Sequence, residues 1–195
     1  MILPGSACVA EVFELRPLPL ADALGLAPIP AVEGLRVEVA ALRAVIGVAG
    51  THGAAGLGDA LADVLGHRLD PAPGSAGGTE PRSLWTGPDR WLVASERSDR
   101  FDLARRIREA APRPTLVTDL TDGLPAIDLI GPRARELLAH GCPVTLADGR
   151  VARTLLALQP VTLLSEADRV RLFTDRALVP FLWDWLARHA PLAAA

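Results

Sequence analysis

Apolar residues alternate with polar or small ones through GLRVEVAALRAVIGVAG (34–50), which predicts two strands, at 35–39 and 44–48. A helix is predicted over 54–65, where Leu57, Leu61, Val64 and Leu65 recur at helical spacing and Gly66 ends the run. Residues 67–82 have the composition of a loop. LWTGPDRWLV (84–93) then sets two short apolar pieces around Gly87-Pro88-Asp89, a turn in which proline presets φ and aspartate bonds its own backbone. The favoured reading is a hairpin whose Trp85 and Trp91 anchor the fold, ahead of a ligand platform or a partner contact. Next comes a helix at 99–111, capped by Ser98 or Asp99, with Phe101, Ala104, Ile107 and Ala111 as its apolar stripe.

The second half repeats this order. Strands are predicted at 116–120 and 126–130, and Gly131-Pro132 opens a helix that Gly141 closes. Strands at 154–158, 161–164 and 170–174 and a last helix at 175–189 complete it. RAVIGVAG (43–50) and LPAIDLIG (124–131) head the two series about 80 residues apart, the mark of an internal duplication. The predicted fold class is α+β: two similar α/β halves, each setting helices on a mainly antiparallel sheet. The halves, 35–111 and 115–189, form a single domain, preceded by an extended proline-rich arm over 1–34 and followed by a tail at 190–195. The arm holds one helical turn near 20–24 and is expected to lie against something else, since it has no core of its own.

The last helix is too apolar for an ordinary surface helix. Its non-polar arc spans about 200°, where a stripe of about 100° suffices. Trp183 and Trp185 lie about 200° apart around the axis, so one core hardly buries both. Trp185 is assigned to the domain's own core and Trp183 to a second surface. Another chain is the favoured cover for that surface, a loop or the N-terminal arm the alternative. Trp183, Val179 and Leu186 are therefore the candidate partner-interface residues.

Composition removes several classes. Net charge is −3, and all basic residues are arginine, with no net basic face for nucleic acid. Neither a signal peptide nor an apolar run near the ~20 residues of a membrane span is evident, which predicts a cytoplasmic protein with no membrane partner. Cys8 and Cys142 cannot build a disulfide framework. The glycines at 47–58 do not complete a GxGxxG fingerprint, and Asp59 would repel a pyrophosphate. His52, His67, His140 and His189 show no metal-ligand spacing, and no serine sits in a nucleophile elbow. Arg105, Arg106 and Arg108 share a helix with Asp102 and Glu109 and read as a solvated face. No catalytic, cofactor-binding or metal site is expected in this chain.

Three blocks, LWTGPDRWLV at 84–93, TDLTDGLPAIDLIGPRARELLAHGCPVTL at 118–146 and LVPFLWDWL at 178–186, resemble the gamma subunit of heterotetrameric sarcosine oxidase. That family is similar in turn to the folate-binding domain of the glycine-cleavage aminomethyltransferase, the T-protein. The resemblance implies a non-catalytic assembly subunit beside larger alpha and beta chains and a small delta chain. It places FAD, FMN, NAD and tetrahydrofolate in the partners, which together demethylate sarcosine to glycine. Glu80-Pro81-Arg82-Ser83 stands where T-protein-like enzymes carry an acidic pair, and Asp119-Leu120-Thr121-Asp122 where relatives often show Asp-x-Ser-His. Both weaken any claim to independent folate chemistry. The alternatives are a stand-alone folate-dependent aminomethyltransferase or folate-binding protein, with Asp119 or Asp122 as its carboxylate, and a gamma-type subunit of a related N-methyl amino acid dehydrogenase. A generic interaction domain is a further reading.

Overall fold

Period-2 strands with two apolar faces need cover on both sides, and the chain meets this with four layers. The computed structural model describes residues 18–50 and 56–193. One antiparallel sheet runs β1 (Arg36–Val39), β7 (Ala126–Ile130), β10 (Arg169–Phe173), β9 (Gln159–Ser165), β8 (Val151–Leu156). The other runs β6 (Thr115–Asp119), β2 (Ala44–Gly50), β5 (Arg90–Ser95), β4 (Arg82–Gly87), β3 (Ala76–Gly77). The two orders are equivalent, as a duplication requires. Each half keeps four strands and gives its first strand to the edge of the other half's sheet. Thus β1 pairs with β7, and β6 pairs with β2.

Helices cover the outer faces. Against the β1-containing sheet lie α5 (Ala134–Ala139) and α6 (Val179–Ala193), with Ile127, Leu129, Leu163, Leu172, Leu182 and Leu186 in the buried cluster between. Against the other lie α2 (Leu57–Ala60), α3 (Ala62–Leu65) and α4 (Arg100–Ala110), over Ile46, Val48, Leu61 and Ile107. The inner faces meet through Val45, Leu84, Leu92 and Ala94 on one sheet and Ala126, Val151, Leu164 and Phe173 on the other. Burying each such aliphatic or aromatic side chain stabilises the fold by roughly 1.5–3 kcal/mol.

Several elements differ from expectation. The helix predicted at 54–65 is two separate turns, and residues 54 and 55 lie outside those described. The predicted loop at 67–82 contains β3 and the start of β4. Asp99 caps α4, its carboxylate accepting from the N–H groups of Phe101 and Asp102 at 2.9 and 3.1 Å. Phe101 is exposed, with the Arg100 guanidinium 4.9 Å over its ring, and Leu103 takes its place in the buried stripe. The last helix begins at Val179 after a short 3-10 turn, because Pro180 is tolerated only in the first turn. The predicted helical turn of the arm is α1 (Leu20–Ala23).

Candidate functional site

Trp85 and Trp91 stand directly opposite each other on β4 and β5. Both belong to the cluster beneath α2 and α3, and the Trp91 indole N–H donates to the Asp70 carbonyl at 3.0 Å. The pair is a packed side of a hairpin.

The apolar arc of α6 is covered within the chain. Val179 and Leu186 are fully buried and Trp183 is 7% exposed. The Trp183 indole N–H donates to the Ala27 carbonyl at 2.7 Å, and Ile29 joins the same core. Trp185 faces the opposite way, against Gly141, where an added Cβ would approach the ring to 2.7 Å, and stacks on His189. Trp183, Val179 and Leu186, expected as candidate partner-interface residues, are thus buried within the described chain, Trp183 under the arm that was the alternative cover. The wide arc serves two neighbours inside one chain, the sheet and the arm at 26–29. Trp183 and Trp185, expected on separate surfaces, belong to the same buried cluster.

Reactive side chains do not assemble into an accessible site among the described residues. His67 Nδ1 donates to the Leu65 carbonyl at 3.0 Å, because that oxygen only accepts. Its Nε2 therefore accepts from the Ser83 hydroxyl at 2.8 Å, a serine–histidine pair. Burial, above all, pushes His67 below the ordinary histidine value; the Leu65 carbonyl opposes this and the Arg82 charge adds to it. Ser83 is buried and Gly77 and Gly78 crowd the imidazole, so no substrate reaches the hydroxyl. Asp119 accepts from the Thr121 N–H and hydroxyl and lies 3.7 Å from Arg100, which also pairs with Asp122. Cys142 sits in the loop after α5 and contacts the Val144 carbonyl at 3.6 Å. No described group of three or more His, Cys, Asp or Glu could hold a metal. Cys8 and His52 lie outside the described residues.

The inner faces of the sheets carry the polar chemistry that sequence periodicity did not reveal. Pairing registers superpose the two halves: Gly47 falls on Asp128, Leu92 on Arg171, Arg90 on Arg169, and the bulged pair Thr86-Gly87, opposite Arg90, on Glu166. At the Asp128 end, Arg171 donates to both Asp128 oxygens at 2.7 and 2.8 Å and to Glu96 at 2.6 Å. Arg169 reaches Glu166 at 2.6 Å and both Glu96 and Asp128 at 3.6 Å. Burial, the largest influence, would lower the Arg171 pKa; Asp128 and then Glu96 outweigh it and hold the guanidinium above its ordinary value. Hydrogen bonding by Arg171, more than any other cause, holds Glu96 below the usual carboxylate range. Arg171, Arg169, Glu96 and Glu166 line a cavity of about 240 Å3 and pair with one another and with Asp128. An aspartate inside the apolar run AIDLI, matched by Arg-Val-Arg at 169–171, was the signal available in the sequence.

At the opposite end the sheets part. Two depressions of about 430 and 670 Å3 share Thr86, Leu124, Arg153 and Thr162 as walls. Gly47 and Ala49 form a flat floor, and Arg90 and Arg153 flank it. Arg153 donates to the Thr86 carbonyl at 3.3 Å, and neither arginine has a carboxylate partner among the described residues. Leu116, Leu155 and Leu158 are 64%, 43% and 83% exposed at this end.

No protein-family model and no curated protein sequence matches the chain. Among solved structures, a chain of the heterotetrameric sarcosine oxidase from Corynebacterium sp. U-96, in complex with pyrrole 2-carboxylate, is similar at 26% identity and a TM-score of 0.76. The match covers 90% of this chain and 93% of that one, so the two are of nearly equal length. This chain is a structural relative of a sarcosine oxidase chain. The glycine cleavage system aminomethyltransferase T from Bartonella henselae shares the fold, at 16% identity and a TM-score of 0.61. There 91% of this chain matches 52% of the aminomethyltransferase. The resemblance read in the three sequence blocks thus holds in three dimensions, as does the T-protein-like fold class. No helix among the described residues is long and apolar enough to cross a membrane.

Proposed function

We propose that this chain is a non-catalytic assembly subunit of a sarcosine-oxidase-type complex, placed in the cytoplasm. The observation that carries the reading is the near end-to-end match to one chain of a heterotetrameric sarcosine oxidase. The internal chemistry agrees with it. The Ser83–His67 pair is sealed, Asp119 and Asp122 are engaged by Thr121 and Arg100, and Arg169 and Arg171 of the charged cavity are ion-paired. In this reading FAD, FMN, NAD and tetrahydrofolate reside in larger alpha and beta chains, and this chain completes their surface. Co-expression with the alpha and beta chains of such a complex from the same organism tests it. The expected result is a stable complex that oxidises sarcosine, from an isolated chain that is colourless and inactive. Flavin on the isolated chain, sarcosine oxidation by it alone, or no association with those chains would overturn the assignment.

A second reading, a folate-binding protein, draws on the fold shared with the aminomethyltransferase and on the cleft of about 430 Å3 between the sheets. Calorimetry of the isolated chain with tetrahydrofolate separates the two, since micromolar binding favours this second reading.

A further inference from the structure

The duplication turns one half of the molecule into a guide to the other. Arg169 is satisfied by three carboxylates, on Glu166, Asp128 and Glu96. The register places the bulge Thr86-Gly87, Gly47 and Asp175 at the corresponding positions around Arg90. The first two have no charge, and the third is turned to the Ala177 N–H, which it caps at 2.8 Å. Arg90 thus occupies a position built for carboxylates and has none from the described residues of its own chain. Arg153, across the same cleft, is in the same condition.

The rim of the cleft points to a macromolecular occupant. Leu116 lies on the edge strand β6, Leu155 on the edge strand β8, and Leu158 at the tip of the β8–β9 hairpin. All three non-glycine residues with positive φ among those described, Asp89, Ala157 and Leu158, are in the two hairpin tips that frame this end. A two-residue turn of this kind ordinarily takes Asn-Gly, so a leucine there, 83% exposed, is costly on both counts unless something covers it.

We infer that this open end is the docking surface for an acidic segment of a larger partner chain. Its carboxylates pair with Arg90 and Arg153 in the cleft, and its apolar side chains cover Leu116, Leu155 and Leu158. Charges so paired and shielded from water set affinity as well as orientation. The inference rests on the assembly reading above and adds the surface and the chemistry of the contact.

The test uses the full chain co-expressed with the alpha and beta chains. Hydrogen exchange is measured at 86–92, 115–119 and 153–159, free and assembled, and affinity is measured for four variants. In the complex these segments should become protected. Arg90→Glu should weaken association about tenfold or more by charge reversal. Thr86→Glu should do likewise by giving Arg90 a carboxylate in its own chain, as Glu166 does for Arg169. Leu158→Gly should weaken it a few-fold, and Arg105→Ala, already paired with Asp102 and Glu109 on the far face of α4, should leave it unchanged. If the wild type assembles while the cleft segments exchange as in the free chain, or both charge variants bind like wild type, the docking site is wrong and the assembly reading stands. If the wild type does not assemble, the assembly reading fails and takes this inference with it. Protection of the same segments by tetrahydrofolate in the isolated chain would overturn it in favour of a small-molecule site.

Discussion

Two ends of one sandwich, equivalent in backbone register, have opposite fates. At one, Arg171 is held between Asp128 and Glu96 and bridges the sheets. At the other, Leu92 and Gly47 occupy the places of Arg171 and Asp128, and the sheets separate over a cleft. Strand pairing is therefore not what closes the interior. A few inward-facing side chains decide whether an end is completed by the chain itself or left for a neighbour.

The contrast breaks most sharply at Asp128. Asp128→Ala strands a buried guanidinium and should cost about 3–5 kcal/mol in denaturant unfolding. A loss below about 1 kcal/mol would mean the ion pair does not close that end. Copying the open end with Asp128→Ala and Arg171→Leu together removes both charges. The double variant should then be more stable than Asp128→Ala alone, with a coupling of about 1–3 kcal/mol in a double-mutant cycle.

Acid should act in two stages, first at His67 beside Ser83 and then at Glu96 in the closed end. His67 is held below its ordinary value of 6.5, so the unfolded chain takes up the proton first. That contribution is complete above pH 6.5 and is lost as pH falls through the lowered folded value. Glu96 is held below 4.5, so its contribution is present above that pH and fades as pH falls further. Thermal unfolding between pH 8 and pH 3 should show both declines, with His67→Gln removing the upper and Glu96→Gln the lower. A single decline in the wild type would contradict this.

The smallest effects sharpen the open end. Leu158→Gly relieves a left-handed leucine at φ 66° and should raise stability by about 1 kcal/mol even as it weakens docking. Thr86→Glu should add roughly 0.2–1 kcal/mol through a new surface pair with Arg90, read as a small rise in Tm. A fall in Tm would show that the register equivalence does not extend to side-chain reach.

Local pattern made much of the fold legible. RAVIGVAG and LPAIDLIG became β2 and β7, and the tryptophan hairpin became β4 and β5, because alternation and turn chemistry are written within a few residues. The exchange of first strands was not legible, since Arg36 pairs with Ile130 and Gly47 with Thr118, and nothing local names so distant a partner. For α6 the width of the apolar arc was visible but the identity of its cover was not. Proline-rich residues near Ala27, with no periodicity of their own, gave no sign that they would lie over Trp183. The inward charges were missed for a related reason: Asp128 and Arg171 make sense only once β7 and β10 are known to be neighbours.

The strand exchange also sets an order of events during synthesis. While the first half leaves the ribosome, β1 has no sheet to join, and β2 presents a raw edge until residues 115–119 emerge. Pairing over such sequence distances is slow, and unpaired edges invite aggregation. A nascent chain stalled before residue 130 holds a strand without a seat, so it needs shielding by chaperones until β7 has emerged.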